Sequence, residues 1–242
     1  AMDAQFNLAK ALLAQENYEF AKGELERFMQ YFPNSPQTPE ALYLLGVCHF
    51  NLNSYLMATE YFDRISAQYQ DTEFLAHALQ NLGWCHERLG EKEKAITRFG
   101  EYLATKPDAP DSANIQLQIA KLLTESGQTD EANVTLLKLQ NVESPDIAAE
   151  AHFMLGMAEL SAENLKDAVI AFELAVQKGS RDNHYRLRAL AQLGAIHENR
   201  GEWQKAVSTY RLLVDSTSED RWVKAAMERI TSLSPKVSAN DN

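Results

Sequence analysis

The 242-residue chain carries 34 acidic against 23 basic side chains, a net charge of −11, and so lacks the basic surface on which sequence-independent attraction to nucleic-acid phosphates depends. No run of about 18 apolar residues offers a bilayer span, and no charged n-region with an apolar h-region opens the sequence. Two cysteines make no disulfide framework and fit either redox compartment.

A helical pattern is already under way at Phe6, so the chain reads as a piece cut from a longer protein. The first unit, about residues 4–37, sets a plan that five more repeat. A small anchor residue, Ala9, is followed by Ala21 and then, four residues later, by Leu25. The second unit (39–73) has Gly46, Ala58 and Phe62 in these places, and the third (75–110) has Gly83, Ala95 and Phe99. The fourth (112–145) has Ala120, Ala132 and Leu136, the fifth (146–180) Gly156, Ala168 and Phe172, and the sixth (184–218) Gly194, Ala206 and Tyr210. Successive anchors are 37, 37, 37, 36 and 38 residues apart, a fixed period that marks a repeat array.

Within a unit the apolar residues follow helical spacing. Leu42, Leu45, Gly46 and His49 form one stripe and Ala58, Phe62 and Ile65 another, at the offsets of a buried helix face. Short polar turns separate the stripes, and Gly90, Gly127 and Gly201 stand where a helix end calls for the left-handed conformation. Pro33, Pro36, Pro39, Pro107, Pro110 and Pro145 fall between units, with Thr38-Pro39 and Ser144-Pro145 reading as helix starts. A last amphipathic helix over 219–234, striped by Trp222, Val223, Ala226, Met227, Ile230 and Leu233, is expected to cover the open end, as repeat arrays require. The polar tail 235–242 is expected to be disordered. The predicted fold class is all-α: six helical hairpins plus a C-terminal capping helix.

No nucleotide-binding, metalloprotease, nucleophile-elbow or CxxC motif is present, so neither enzyme activity nor a cofactor is expected. Cys48-His49 and Cys85-His86 invite a metal or redox reading. Adjacent residues on a helix diverge by about 100°, and packed helix axes lie about 8–10 Å apart, too far for cysteines in successive units to bridge readily. His197 fills the same register with Ile196 before it, so the histidine recurs without a thiol. The register therefore favours core over ligand, leaving a histidine that lines a binding surface as the alternative.

Taken together, Leu-Gly on the first helix, Ala twelve residues on, an aromatic four further and Pro near the end of the unit resemble the tetratricopeptide repeat, over roughly residues 4–218. The units depart from it in length, and Leu42 or Leu79 stands where the motif has an early aromatic. Text between units such as YFPNSPQTPEALYLLG is also similar to bacterial envelope proteins of this class, of the outer-membrane assembly lipoprotein and Tol–Pal coordinator types. The resemblance implies an α-solenoid wound as a right-handed superhelix, its first helices lining a concave groove, and a periplasmic or envelope location over a cytoplasmic one. Carried onto this sequence, the implied partner-binding residues are Phe6, Lys10, Tyr43, Val47, Phe50, Trp84, Glu87, Lys121, Phe153 and Met157. Each has a competing reading as packing between repeats. The Lys and Asn pair with which some co-chaperones of the family grip acidic tails occurs in no unit.

A groove of aromatic and Met content suits a hydrophobic peptide segment or helix of a protein partner. The function expected is a non-enzymatic scaffold, one module of a larger assembly, without nucleic acid, metal, cofactor or membrane insertion. The alternative is a self-assembling scaffold, a homo-oligomer joined through its terminal repeats.

Overall fold

In this computed structural model residues 2–240 are described, and among them thirteen helices and no strand make up the fold. Twelve helices form six hairpins: α1 (Met2–Ala14) with α2 (Tyr18–Tyr31), α3 (Thr38–Asn51) with α4 (Tyr55–Gln68), and α5 (Phe74–Arg88) with α6 (Lys92–Thr105). The series continues with α7 (Ser112–Glu125) and α8 (Thr129–Lys138), α9 (Pro145–Ser161) and α10 (Leu165–Lys178), α11 (His184–Asn199) and α12 (Trp203–Ser216), and ends in α13 (Asp220–Asn240). The chain divides into two compact units, Ala1–Ile115 and Gln116–Asn242.

Every hairpin turns in the same way. The residue seven past the anchor has positive φ: Glu16 (57°), Asn53 (58°), Gly90 (76°), Gly127 (77°), Glu163 (61°) and Gly201 (72°). The next N–H donates back to a first-helix carbonyl, as Glu91 does to His86 at 2.8 Å and Glu202 to His197 at 2.9 Å. This bond closes the helix end and satisfies a carbonyl that otherwise has no partner. The three glycines are the expected ones, while Glu16, Asn53 and Glu163 adopt the conformation despite their side chains.

The anchor and the residue sixteen beyond it form the crossing of the two helices. A Cβ placed on Gly46 would meet the Phe62 ring at 2.5 Å, on Gly83 the Phe99 ring at 2.4 Å, on Gly156 the Phe172 ring at 2.6 Å, and on Gly194 the Tyr210 ring at 2.5 Å. Carbon atoms do not approach so closely, so the ring lies directly on the glycine backbone. In the first and fourth hairpins the anchors are Ala9 and Ala120, and the residues opposite are Leu25 and Leu136. Gly goes with a ring and Ala with Leu in all six hairpins. Phe62, Phe99 and Phe172 are fully buried, and burial of such a ring stabilises by about 1.5–3 kcal/mol.

In the first unit Phe6, Ala9, Ala21, Leu25, Phe28, Ala41, Leu45 and Cys48 form a core that joins the first two hairpins. In the second unit Leu187, Leu190, Ala206, Val207, Tyr210 and Leu213 receive Ala226, Ile230 and Leu233 of α13. Met227 turns outward instead, 48% exposed. The helix does not stop at 234: α13 runs through Pro235 to Asn240, where the sequence predicted a disordered tail from 235. Val237 extends the buried stripe one turn past Leu233, and the Lys236 ammonium lies 4.3 Å from the Trp203 ring centre. Residues 241 and 242 of the predicted tail lie outside the described residues. Thr38 is the first residue of α3, and its hydroxyl donates to the Pro33 carbonyl at 3.2 Å.

Candidate functional site

The Cys-His pairs resolve into packing. Cys48 and Cys85 are free and buried, and burial pushes each thiol up to about 12, far from the thiolate that redox or metal chemistry needs. His86 Nδ1 meets Glu91 Oε2 at 2.7 Å, and His197 Nδ1 meets Glu202 Oε2 at 2.7 Å, so each histidine clips its first helix to the start of the second. His49 has Ser54 in place of that glutamate; neither of its ring nitrogens has a partner, and it stacks on Tyr61 with ring centres 5.2 Å apart. Among the described residues no group of three or more His, Cys, Asp or Glu is placed to hold a metal ion.

Two of the expected anchors are core. Phe6 is buried against Phe28, with ring centres 5.0 Å apart. Phe153 is buried against Phe172 (5.8 Å) and Tyr185 (5.7 Å), and the Arg188 guanidinium lies 4.4 Å from its ring centre. Phe6 thus packs into its own hairpin, and Phe153 keeps only an edge toward an open cavity between α7, α8 and α9.

The two expected lysines are engaged between neighbouring first helices. Lys10 Nζ reaches Glu40 Oε1 at 2.7 Å. Lys121 Nζ approaches Glu150 Oε1 to 2.7 Å without the alignment of a hydrogen bond. Each lysine follows its anchor by one residue, and each glutamate precedes the next anchor by six. This charge pairing is legible in the sequence once the register is known. Lys10 and Lys121 therefore join repeats.

In the first unit Tyr43 is half-buried among Phe62, Phe74 and His77, with ring centres 5.9, 5.6 and 6.0 Å away, and burial holds its hydroxyl above the ordinary tyrosine range. Val47 and Phe50 are half-exposed on α3, Phe50 edge-on to Tyr55 at 5.4 Å. Trp84 on α5 is likewise half-exposed and packs edge-on to Phe99 at 4.8 Å. Glu87, one turn beyond Trp84, has one carboxylate oxygen, Oε2, buried without a hydrogen-bond partner. Asp111 closes the end of the third hairpin by accepting from Gln80 and from the Tyr102 hydroxyl, each at 2.5 Å.

The second unit holds an open cavity of about 230 Å³ between α7, α8 and α9. Thr124, Leu136, Phe153, Met154, Met157 and Ser161 are among its walls, and most of that surface is apolar. Met157 and the edge of Phe153 are the sequence-predicted residues that meet here. Leu136 and Met154 were not foreseen, although Leu136 is marked in the sequence as a residue smaller than the ring found at that place in four other hairpins. At about 300–1,000 Å³ a pocket takes a whole small-molecule ligand; this smaller one suits one or two large apolar side chains. It is distinct from a closed packing defect because it opens to solvent beside Ser161, an exposed residue.

Comparison with known proteins agrees with the tetratricopeptide-repeat resemblance. The profile of the YfiO family, outer membrane lipoproteins, matches residues 1–106, and two tetratricopeptide-repeat profiles match residues 117–183 and 189–221. No curated protein matches the chain. Among solved structures, the C-terminal part of a tetratricopeptide repeat-containing protein from Cytophaga hutchinsonii is 16% identical, with TM-score 0.68, over 95% of this chain and 95% of that one. YrrB, described as a tetratricopeptide-repeat protein with an unusual peptide-binding site, is 17% identical, with TM-score 0.60, over 76% of this chain and 89% of its own. PilW, described as a widely conserved type IV pilus biogenesis factor, is 18% identical, with TM-score 0.55, over 93% and 98%. No helix among the described residues is long and apolar enough to cross a membrane.

Proposed function

We propose that this chain of tetratricopeptide repeats is a non-enzymatic scaffold for protein–protein interaction, holding a hydrophobic segment or helix of a partner protein against its first helices. The observation that carries the reading is the open apolar cavity beside Met157, at a crossing that other hairpins close with a ring. Tyr43, Val47, Phe50 and Trp84 add half-buried apolar surface on the first helices of the first unit. The similarity to YrrB supports a peptide ligand. The YfiO profile and the likeness to PilW support a place in the bacterial envelope, as one module of a larger assembly. The repeat limits read from the sequence, 4–218 with the helix from 219 as cap, are adopted as the limits of this scaffold.

The test is a selection of displayed peptides on the wild-type chain, followed by affinity measurement on two variants. Ala120→Gly with Leu136→Phe installs the Gly–ring pair of the other hairpins and fills the cavity, while Tyr43→Ala with Trp84→Ala strips the first-unit surface. Selected peptides are expected to be rich in large apolar side chains and to weaken at least tenfold on one variant or the other, each variant being checked for native helicity. Peptides that bind both variants as tightly as wild type would sink the reading.

A second reading has its own observation. Leu8 is 49% exposed, whereas its equivalents Leu45 and Leu82 are at most 1% exposed under the preceding hairpin. A second copy of the chain docked on this face of α1 would give head-to-tail oligomers. Sedimentation velocity across a concentration series decides this: association that Leu8→Glu abolishes supports it, and a strict monomer at high concentration removes it.

A further inference from the structure

Glu87 occupies a register that is informative elsewhere in the chain. Four residues past the anchor stand Leu13, Phe50, Glu87, Thr124, Leu160 and Glu198, and only two of these are carboxylates. Glu198 is nearly buried and takes a guanidinium in fork fashion: Arg229 Nε donates to Oε1 at 2.8 Å, and the terminal nitrogen donates to Oε2. The arginine comes from α13, a helix lying beside α11 and α12. Glu87 has the same place on α5, yet its Oε2 is buried with no partner. A buried acceptor left unsatisfied costs about 1–3 kcal/mol, more when charged, and native structures leave few such groups without a reason. Trp84, one turn earlier on the same face, is half-exposed, and an aromatic ring beside a carboxylate favours a guanidinium over an ammonium.

We propose that Glu87 is the receptor for an arginine side chain of the bound segment, with Trp84 as its aromatic neighbour. The proposal rests on the reading that a protein segment lies against the first helices, and it adds the partner's chemistry: a basic residue within an apolar stretch. Glu198 shows that this register presents a carboxylate to a guanidinium. The net charge of −11 further attracts a basic segment during encounter. Lys10 and Lys121 do not oppose it, since both are neutralised by Glu40 and Glu150.

Two synthetic peptides test it, acetyl-Phe-Leu-Arg-Leu-Phe-amide and the same peptide with citrulline, which keeps the shape of arginine and removes its charge. Binding is read on the wild-type chain by titration, with the Trp84 indole N–H and the Glu87 amide followed by NMR. The arginine peptide is expected to bind at least tenfold tighter than the citrulline peptide and to move both signals. Glu87→Gln, confirmed folded by its melting temperature, is expected to remove that preference. Leu136→Phe with Ala120→Gly is expected to leave the arginine preference intact. Equal binding of the two peptides by wild type, or an undiminished preference in Glu87→Gln, overturns the proposal while leaving the apolar reading standing. Failure of both peptides to bind at millimolar concentration overturns the two together.

Discussion

The third and fourth hairpins follow one plan and finish it differently. In the third, Gly83 lets the Phe99 ring lie on the helix backbone, and the crossing is closed. In the fourth, Ala120 stands opposite Leu136, and a cavity of about 230 Å³ opens beside them. Exchanging the ring for leucine removes more carbon than the one methyl of Ala120 returns. The first hairpin carries the same pair, Ala9 and Leu25, yet buries both completely beside Phe6 and Phe28, so the pocket of the fourth depends on the residues around the pair as well.

The sharpest way to break this comparison is Gly83→Ala. Its new methyl would lie 2.4 Å from the Phe99 ring, so the variant is expected to lose about 1–3 kcal/mol, the usual cost of overpacking. Adding Phe99→Leu installs the pair of the fourth hairpin, and most of the loss should return, giving a coupling of about 0.5–3 kcal/mol in a double-mutant cycle. Urea denaturation with an unchanged m-value reads this directly. If the two substitutions are simply additive, the glycine–ring contact does not set the pair.

Much of the fold was legible because a period of 36–38 residues repeats each constraint. A residue that must be small at a helix crossing is visible when six copies agree. The same register also held the rule joining glycine to a ring and alanine to leucine, which becomes meaningful only when a distance shows the ring touching the backbone. The candidate site was less legible. Phe6 and Phe153 have the composition of binding anchors, but each is buried against a ring of its own hairpin, and only an edge of Phe153 reaches the cavity. Lys10 and Lys121 look free until the glutamate of the next first helix is set beside them. The run of α13 past Pro235 depended on Val237 and Lys236 finding partners, contacts that local propensity does not contain.

The second and third hairpins differ in how a histidine is held, and in the second the unpartnered His49 makes stability depend on pH. Burial, and secondarily the Lys22 ammonium, holds the His49 imidazole below its ordinary value. The folded chain therefore resists protonation there, while the unfolded chain takes a proton as pH falls through about 6.5. Stability is lost from that point downward, until the folded value is also passed. His152, lowered by burial with Lys178 nearby, adds loss of the same sign. Ser54→Glu gives His49 the acceptor that Glu91 gives His86, and is expected to reduce the fall in stability between about pH 7 and 5 by roughly 0.5–1.5 kcal/mol, the worth of one hydrogen bond. Urea midpoints at the two pH values check it, and an unchanged pH dependence would mean that the introduced carboxylate does not reach the ring.

The smallest effects lie in the turns, where the third and fifth hairpins hold different residues at positive φ. Gly90 sits at 76° and Glu163 at 61°. A side chain in this conformation costs about 1–2 kcal/mol, and glycine costs about 0.5–1 kcal/mol in unfolded-chain freedom. Glu163→Gly is therefore expected to stabilise by about 0.5 kcal/mol, and Gly90→Ala to destabilise by about the same or slightly more. Asn53, at 58°, tolerates the left-handed region better than glutamate, so Asn53→Gly should gain less than Glu163→Gly. Melting temperatures of the three variants give the order directly, and a gain at Asn53 that exceeds the gain at Glu163 would show that backbone strain is not what distinguishes these turns.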